Sequence, residues 1–309
     1  MQLYLPIAEI PVNIFMIFGM GGAVGFLSGL FGIGGGFLLT PLLIFSGIPP
    51  AVAVATVTTQ VTASSTSAVL TYWRRKAIDF KLGTMLLVGG ISGSIVGVFL
   101  FEVLQNLGQL DLVISLSYVT FLGTIGTLML FESLRAMRRR RSGGAARIRR
   151  PGQHNWIHGL PFKMRFRQSK LYVSVIPVLF LGATIGFLGT ILGIGGGFMM
   201  VPALIYLLRV PTNVVIGTSL LQILFTMATA TVLHSIGTQT VDIVLALTLM
   251  IGGVIGAQFG ARMGQNLRGD QLRLLLALLV LLVGLRFAVD LLLTPTDFYS
   301  IAIMGGAGS

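Results

Sequence analysis

A glycine-rich block that occurs twice limits what this chain can become. Gly32-Ile33-Gly34-Gly35-Gly36-Phe37, with Pro41 after it, recurs as Gly193-Ile194-Gly195-Gly196-Gly197-Phe198, with Pro202 after it, at an offset of 161 residues. The likeness continues beyond the glycines. Pro50 matches Pro211, Gln60 matches Gln222 after one inserted residue, and Asp79 matches Asp242 after another. Gly89-Gly90-x-x-Gly93-x-x-x-Gly97 then matches Gly252-Gly253-x-x-Gly256-x-x-x-Gly260. A pattern shared over that length is a duplication, so two copies of one unit are expected.

Both blocks lie in apolar sequence, and here composition decides the class. Of the 309 residues, 54% are hydrophobic and 10% charged, and mean hydropathy is +0.93. Soluble domains are about 25% charged, so this is the composition of an integral membrane protein. Runs long enough to span a bilayer cover roughly 12–31, 51–72, 82–101, 112–134, 173–192, 212–235, 243–261 and 272–293. Two shorter runs, 37–46 and 198–208, directly follow the glycines. The expected fold is all-α and polytopic, with eight full spans plus two short half-helices. No Lys or Arg precedes the first run, so 12–31 is expected to be a retained span rather than a cleaved signal. The chain has no Cys, which excludes disulfides, thiolate catalysis and Cys-based metal sites.

A net charge of +12 invites a nucleic-acid reading, but the placement of the charge opposes it. Twelve of the 21 Lys and Arg fall between Arg135 and Lys170, and Arg74, Arg75, Lys76 and Lys81 form a second group. This is the distribution of cytoplasmic anchors under the positive-inside rule, so no nucleic-acid partner is expected. Trp156, Phe162, Met164 and Phe166 interleave with basic residues, which suits contact with an anionic leaflet. His154 and His158 lack further ligating neighbours and read as polar loop residues.

If each short post-glycine helix counts as a crossing, each repeat has five segments. Arg74–Lys76, the 135–170 loop, Arg209, Arg262 and Arg268 then share one side, while Glu9, Glu102, Asp111 and the His234–Asp242 turn face the other. An odd count makes the repeats inverted, with the basic loop cytoplasmic and both termini outside. The chain is expected to divide into a first transmembrane repeat (1–137), a basic cytoplasmic loop (138–172), a second transmembrane repeat (173–293) and a C-terminal tail (294–309).

Inverted repeats with broken helices place a transporter's site where the breaks meet. A helix that begins inside a membrane exposes unpaired N–H groups and an effective charge of about +0.5. Gly34, Gly35, Gly36, Gly195, Gly196 and Gly197 have no side chains to keep an anion from that backbone. Thr58, Gln60, Thr218, Ser219 and Gln222 can complete a neutral hydrogen-bonding cage. The many hydroxyls of the 51–72 span imply protein or water contact on more than one face. A small oxyanion fits this set, and the site calls for no cofactor, metal or catalytic residue. A dinucleotide loop fails because no strand precedes the glycines.

The remaining polar groups have plainer readings. Gly89, Gly93 and Gly97, like Gly252, Gly256 and Gly260, form close-packing faces. Asp79 and Asp242 stand just before spans and read as N-caps. Arg286 and Asp290 form an i, i+4 pair. His234, which aligns with Tyr72, reads as an interfacial polar residue.

The duplicated Gly-x-Gly-Gly-Gly-Phe…Pro block, the Thr/Ser-Gln span and the Gly-Gly-x-x-Gly-x-x-x-Gly span together resemble the sulfite exporter TauE/SafE family. The resemblance covers roughly residues 13–137 and 173–293. It implies a transporter, and export rather than import, of a small sulfur-containing anion such as sulfite or an organosulfonate across the bacterial inner membrane. Ala55-Thr56-Val57-Thr58 departs from the pattern that Ile216-Gly217-Thr218-Ser219 keeps. The competing readings are an anion channel, or a membrane scaffold or enzyme of sulfur metabolism. A scaffold would depend on the 135–170 loop, and an enzyme needs a reactive cluster that the sequence lacks. The lipid bilayer is the expected environment, and a homo-oligomer is compatible with it.

Overall fold

The computed structural model describes residues 2–31, 36–74, 76–141, 163–166, 169, 171–206, 212–264 and 269–292. Gly34, Gly35, His154, Trp156, His158, Arg209, Arg268 and the 294–309 tail lie outside the described residues. The first half contains helices α1 (Ile14–Phe31), α2 (Gly36–Phe45), α3 (Pro50–Arg74), α4 (Phe80–Asn106) and α5 (Leu110–Arg141). The second half repeats the order with α6 (Val175–Leu192), α7 (Gly197–Tyr206), α8 (Thr212–Leu233), α9 (Ile243–Gly264) and α10 (Gly269–Leu292). A π-helical turn, His234–Thr238, extends α8.

Six of these helices (α4, α5, α6, α8, α9 and α10) are long and apolar enough to cross a membrane. The apolar stretch of α1, Ile14–Leu30, is shorter than any of these, and α3 has 25 residues but is diluted by hydroxyls. Both short helices have ten residues, about 15 Å at 1.5 Å per residue, roughly half a bilayer core. Large apolar side chains face outward along the long helices, among them Phe15, Phe99, Phe131, Phe180 and Leu282. Such a surface suits lipid, not water.

Each half opens with a β-hairpin that no periodicity announced. β1 (Gln2–Leu5) pairs antiparallel with β2 (Ile10–Asn13), and β3 (Lys163–Phe166) pairs likewise with β4 (Leu171–Ser174). The two hairpins occupy equivalent positions of the duplication, so the second copy reaches back into the stretch read as basic loop. Four-residue strands are too short to leave a reliable alternation. Each hairpin feeds its helix through a short polar residue. The Asn13 Oδ1 accepts from Phe15 N at 3.0 Å, and the Ser174 Oγ accepts from Ile176 N at 3.3 Å.

The halves interlock by exchange. α1 lies along α9, α4 along α6, α3 along α8 and α5 along α10. Glycines make the first two contacts close: Gly21, Gly25 and Gly29 abut the backbone of Leu249, Gly253 and Ala257 in step, so α1 and α9 run parallel. Gly89 and Gly93 abut Leu179 and Ala183, and Gly97 would place a Cβ 3.1 Å from the Phe187 carbonyl oxygen, so α4 and α6 run parallel too. The packing reading of both glycine faces holds.

The equivalent helices of the two halves oppose one another. Thr58 meets Thr231 while Ala77 meets Gly217, so α3 and α8 are antiparallel. Tyr118 meets Phe287, Leu122 meets Gly284 and Gly126 meets Leu281, so α5 and α10 are antiparallel. α3 runs with α9, Thr56 contacting Asp242 and Gln60 lying beside Gly253. Since α1 also runs with α9, α1 and α3 point the same way, and the segment containing α2 carries the chain back between them. The same argument applies to α7, between α6 and α8.

The hydroxyl-rich α3 has protein on more than one face, as expected: it contacts α2, α8 and α9, Thr56 Oγ1 accepts from Asp242 N, and Thr58 lies 3.0 Å from the Thr231 hydroxyl. Thr58, Thr62, Ser64 and Thr66 donate to the carbonyls of Ala55, Thr58, Val61 and Thr62 at 2.7, 2.8, 3.0 and 2.9 Å. These four hydroxyls thus also have acceptors within their own helix.

Candidate functional site

The second glycine block ends α6 and restarts the chain as α7. Gly193, Gly195 and Gly196 have φ of 65°, 74° and 73°, in the left-handed region that side-chain-bearing residues disfavour. The whole stretch Gly193–Gly197 is buried. Gly36, the described end of the first-half block, comes to it directly. A Cβ on Gly36 would lie 2.8 Å from the Gly193 carbonyl oxygen and 2.9 Å from that of Ile194. Val61 stands against both Gly36 and Gly195 and fills the space between them. Phe37 and Phe198, equivalent residues that each follow their block, stack with ring centroids 4.8 Å apart and planes at 11°. The start of α2 therefore meets the second glycine block, through the Gly36 contacts and the Phe37–Phe198 stack.

A residue the sequence did not single out completes this junction. Tyr118 of α5 is fully buried, stacks on Phe287 and donates its hydroxyl to the Leu192 carbonyl. That carbonyl belongs to the last turn of α6, where no intrahelical donor remains. A tyrosine in an otherwise apolar span was the available signal, since a buried phenol needs a partner.

The nominated polar residues divide. Gln60 and Gln222 are both buried, their Nε2 atoms against Gly253 and Gly90, and Gln222 donates to Thr226 Oγ1 at 3.0 Å. Neither Oε1 has a protein partner, and neither has Thr59 Oγ1. Gln60 immediately precedes Val61, so its carboxamide is one residue from the wedge between the breaks. Thr58, Thr218 and Ser219 are engaged in the frame. Thr58 bonds Ala55 O and lies 3.0 Å from the Thr231 hydroxyl, and Ser219 donates to Val215 O at 2.7 Å. Thr218 Oγ1 accepts from Asp79 N at 3.1 Å.

That last contact reveals a residue passed over. Thr56 Oγ1 accepts from Asp242 N at 3.1 Å, the same bond with the halves exchanged. Once Gln60 is set against Gln222, Thr56 aligns with Thr218, so the alignment already held this information. Asp79 and Asp242 cap their helices as expected, accepting from Leu82 N at 3.2 Å and Leu245 N at 3.0 Å.

His234 departs from its interfacial reading. It is fully buried, edge-on to Phe101 at 4.6 Å, with Nε2 3.4 Å from the Thr190 carbonyl oxygen. The π-helical turn carries it inward, a feature that residue type alone does not signal. Arg286 pairs with Asp290 at 3.5 Å and lies over the Phe45 ring at 5.5 Å.

Comparison with known proteins points to a membrane transporter. Residues 17–287 match the profile of the family described as Sulfite exporter TauE/SafE. The chain is 27% identical over 279 residues to the probable membrane transporter protein YunE of Bacillus subtilis (strain 168), covering 86% of this chain and 93% of that one. It is 31% identical over 257 residues to a probable membrane transporter protein of Xylella fastidiosa (strain 9a5c), covering 80% and 84%. No solved structure matches.

Proposed function

The chain belongs to the sulfite exporter TauE/SafE family and is a membrane transporter, and from that premise we propose that it moves a small sulfur-containing anion, such as sulfite or an organosulfonate, by alternating access around the paired glycine breaks. The observation that carries the proposal is the meeting of Gly36-Phe37 with Gly193–Phe198. Two helix N-termini side by side present unpaired N–H groups and an effective charge of about +0.5 each, which favours an anion of one or two charges. Glycine lets oxyanion oxygens approach the backbone. The carbonyls of Gly193 and Ile194 lie beside Gly36 in this closed arrangement. A substrate would replace them as the negative partner of α2. Gln60 and Gln222 supply amides from the two halves, and their unpartnered oxygens suit a protonated oxyanion or its bound water.

An inverted-repeat arrangement is part of this reading. The antiparallel placement of α3 against α8 and of α5 against α10 is what an axis in the membrane plane produces. In this reading eight helices span, α2 and α7 reach the midplane, the basic loop lies in the cytoplasm and both termini lie outside. Export follows from the family description alone.

The test is flux of sulfite in liposomes containing the purified protein, under an imposed membrane potential, with and without a pH gradient. Saturable flux competed by sulfonates is expected. Gly196→Leu, at φ 73° and against Ile185, is expected to insert normally and to lose at least about 90% of that flux. Unchanged flux in this variant would sink the paired-break site.

A further inference from the structure

The two hairpins and the two capping aspartates form one device built twice, for which the transport reading has no use so far. Asp79 and Asp242 each use Oδ1 to cap their own helix. Each Oδ2 instead reaches a hairpin of the other half. Asp242 Oδ2 accepts from Ile7 N at 3.1 Å, in the turn between β1 and β2. Asp79 Oδ2 accepts from Ser169 N at 2.9 Å and from Ser169 Oγ at 2.8 Å, in the turn between β3 and β4. The backbone N–H of each aspartate is held by the other half's threonine, Thr56 or Thr218. Both aspartates are at most 3% exposed, so these charge-assisted bonds are shielded from water.

The hairpins close over apolar seats. Leu5 and Phe166, equivalent residues, are fully buried, and Ala8 and Ser169 in the turns are buried as well. The outer faces carry Tyr4 and Tyr172, each 61% exposed. Because α4 and α9 begin at opposite ends of the antiparallel frame, the two seats lie at opposite ends of the bundle. Each hairpin also continues directly into α1 or α6, whose far end is a glycine break. A hairpin that leaves its seat therefore pulls on the helix that shapes the site.

We infer that the two hairpins are the gates of the transporter, each latched by the aspartate of the opposite half, and that this structure, with both latched, is the doubly closed state. The inference rests on the transporter reading but not on any particular substrate. An alternating device needs one barrier per side with matched strength, and a duplicated latch supplies that. The latches differ in two respects: the backbone donor is Ile7 N in the first and Ser169 N, one position later in the alignment, in the second, and Ser169 adds a hydroxyl donor where the first hairpin has Ala8.

The chain's lack of cysteine makes a direct test simple. Leu5→Cys and Phe166→Cys place single thiols beneath the two hairpins, and a water-soluble maleimide reads their exposure without substrate in detergent-solubilised protein, where both ends of the bundle are accessible. Asp242→Asn keeps an acceptor for the helix cap but turns an N–H₂ group toward Ile7 N, two donors facing each other. It is expected to speed labelling of the Leu5→Cys thiol about tenfold or more and to leave the Phe166→Cys thiol no faster. Asp79→Asn should give the mirror result. Ser169→Ala touches no helix cap and is expected to speed labelling at Phe166→Cys severalfold, which guards against a carboxylate variant that misfolds. Labelling that fails to rise in any of the three, or that rises equally at both thiols, overturns the gate. Absent sulfite flux would count against the substrate alone, because labelling does not depend on it.

Discussion

The α1–α9 and α4–α6 interfaces are copies of one contact, and they differ in what lies inside it. Both are closed by glycines against opposing backbone, Gly25 on Gly253 in one and Gly186 on Gly90 in the other. One turn along, the first places Gly29 against Ala257, with no polar group. The second places Thr190 against Ser94, hydroxyl to hydroxyl at 2.8 Å, with His234 on the Thr190 carbonyl. Duplication has thus preserved the backbone approach and let the side-chain chemistry diverge. The steric requirement is absolute, since no rotamer accommodates a Cβ inside a neighbouring carbonyl. The polar content is adjustable, because a hydroxyl can be satisfied by its own helix. The backbone approach is therefore symmetric between the halves and the polar content is not.

The comparison can be broken most severely at the shared glycines. Gly256→Leu and Gly93→Leu would drive side chains into the backbone at Gly22 and Ala183. Each is expected to destabilise by more than about 3 kcal/mol and to abolish recovery of monodisperse protein in detergent, with equal severity in the two halves. Tolerance of either by the folded protein would show that the copies are not equivalent. Tyr118→Phe comes next. It strips the Leu192 carbonyl of its donor, a loss of about 1–3 kcal/mol that a drop in thermal midpoint would register. The smallest change sharpens the asymmetry: Ser94→Ala gives the second interface the alanine of the first and leaves Thr190 bonded to Gly186 O at 2.8 Å. Its stability cost is expected to stay below about 1.5 kcal/mol, and its effect should fall on flux rather than on assembly. A stability loss as large as that of Gly93→Leu would mean that the hydroxyl pair is structural.

Much of this molecule was legible before any coordinates. The duplication, the helical membrane class, the N-caps at Asp79 and Asp242 and the packing role of the glycine faces each rest on patterns within one segment or between copies. Thr218 shows the limit. As a hydroxyl near a glycine break it was a reasonable candidate ligand, yet its partner is Asp79, which no spacing predicts. Thr56 holds Asp242 as Thr218 holds Asp79, a pairing carried by equivalence between the copies and not by proximity in sequence. Tyr118 and His234 were legible only as polar residues in apolar surroundings, without direction.

What the sequence determined alone is therefore local and periodic: where apolar runs fall, where glycine interrupts them, and which acidic residues can cap the next helix. Those properties depend on neighbours a few positions apart, and the chain carries them in any conformation. Tertiary structure decided the exchange. It set α1 on α9 and α4 on α6, brought Phe37 onto Phe198, and joined each hairpin to the aspartate of the other half. Ile7 and Asp242 are 235 residues apart, so nothing local encodes their bond. It exists because packing α9 against α1 and α3 carries the start of α9 to the turn between β1 and β2.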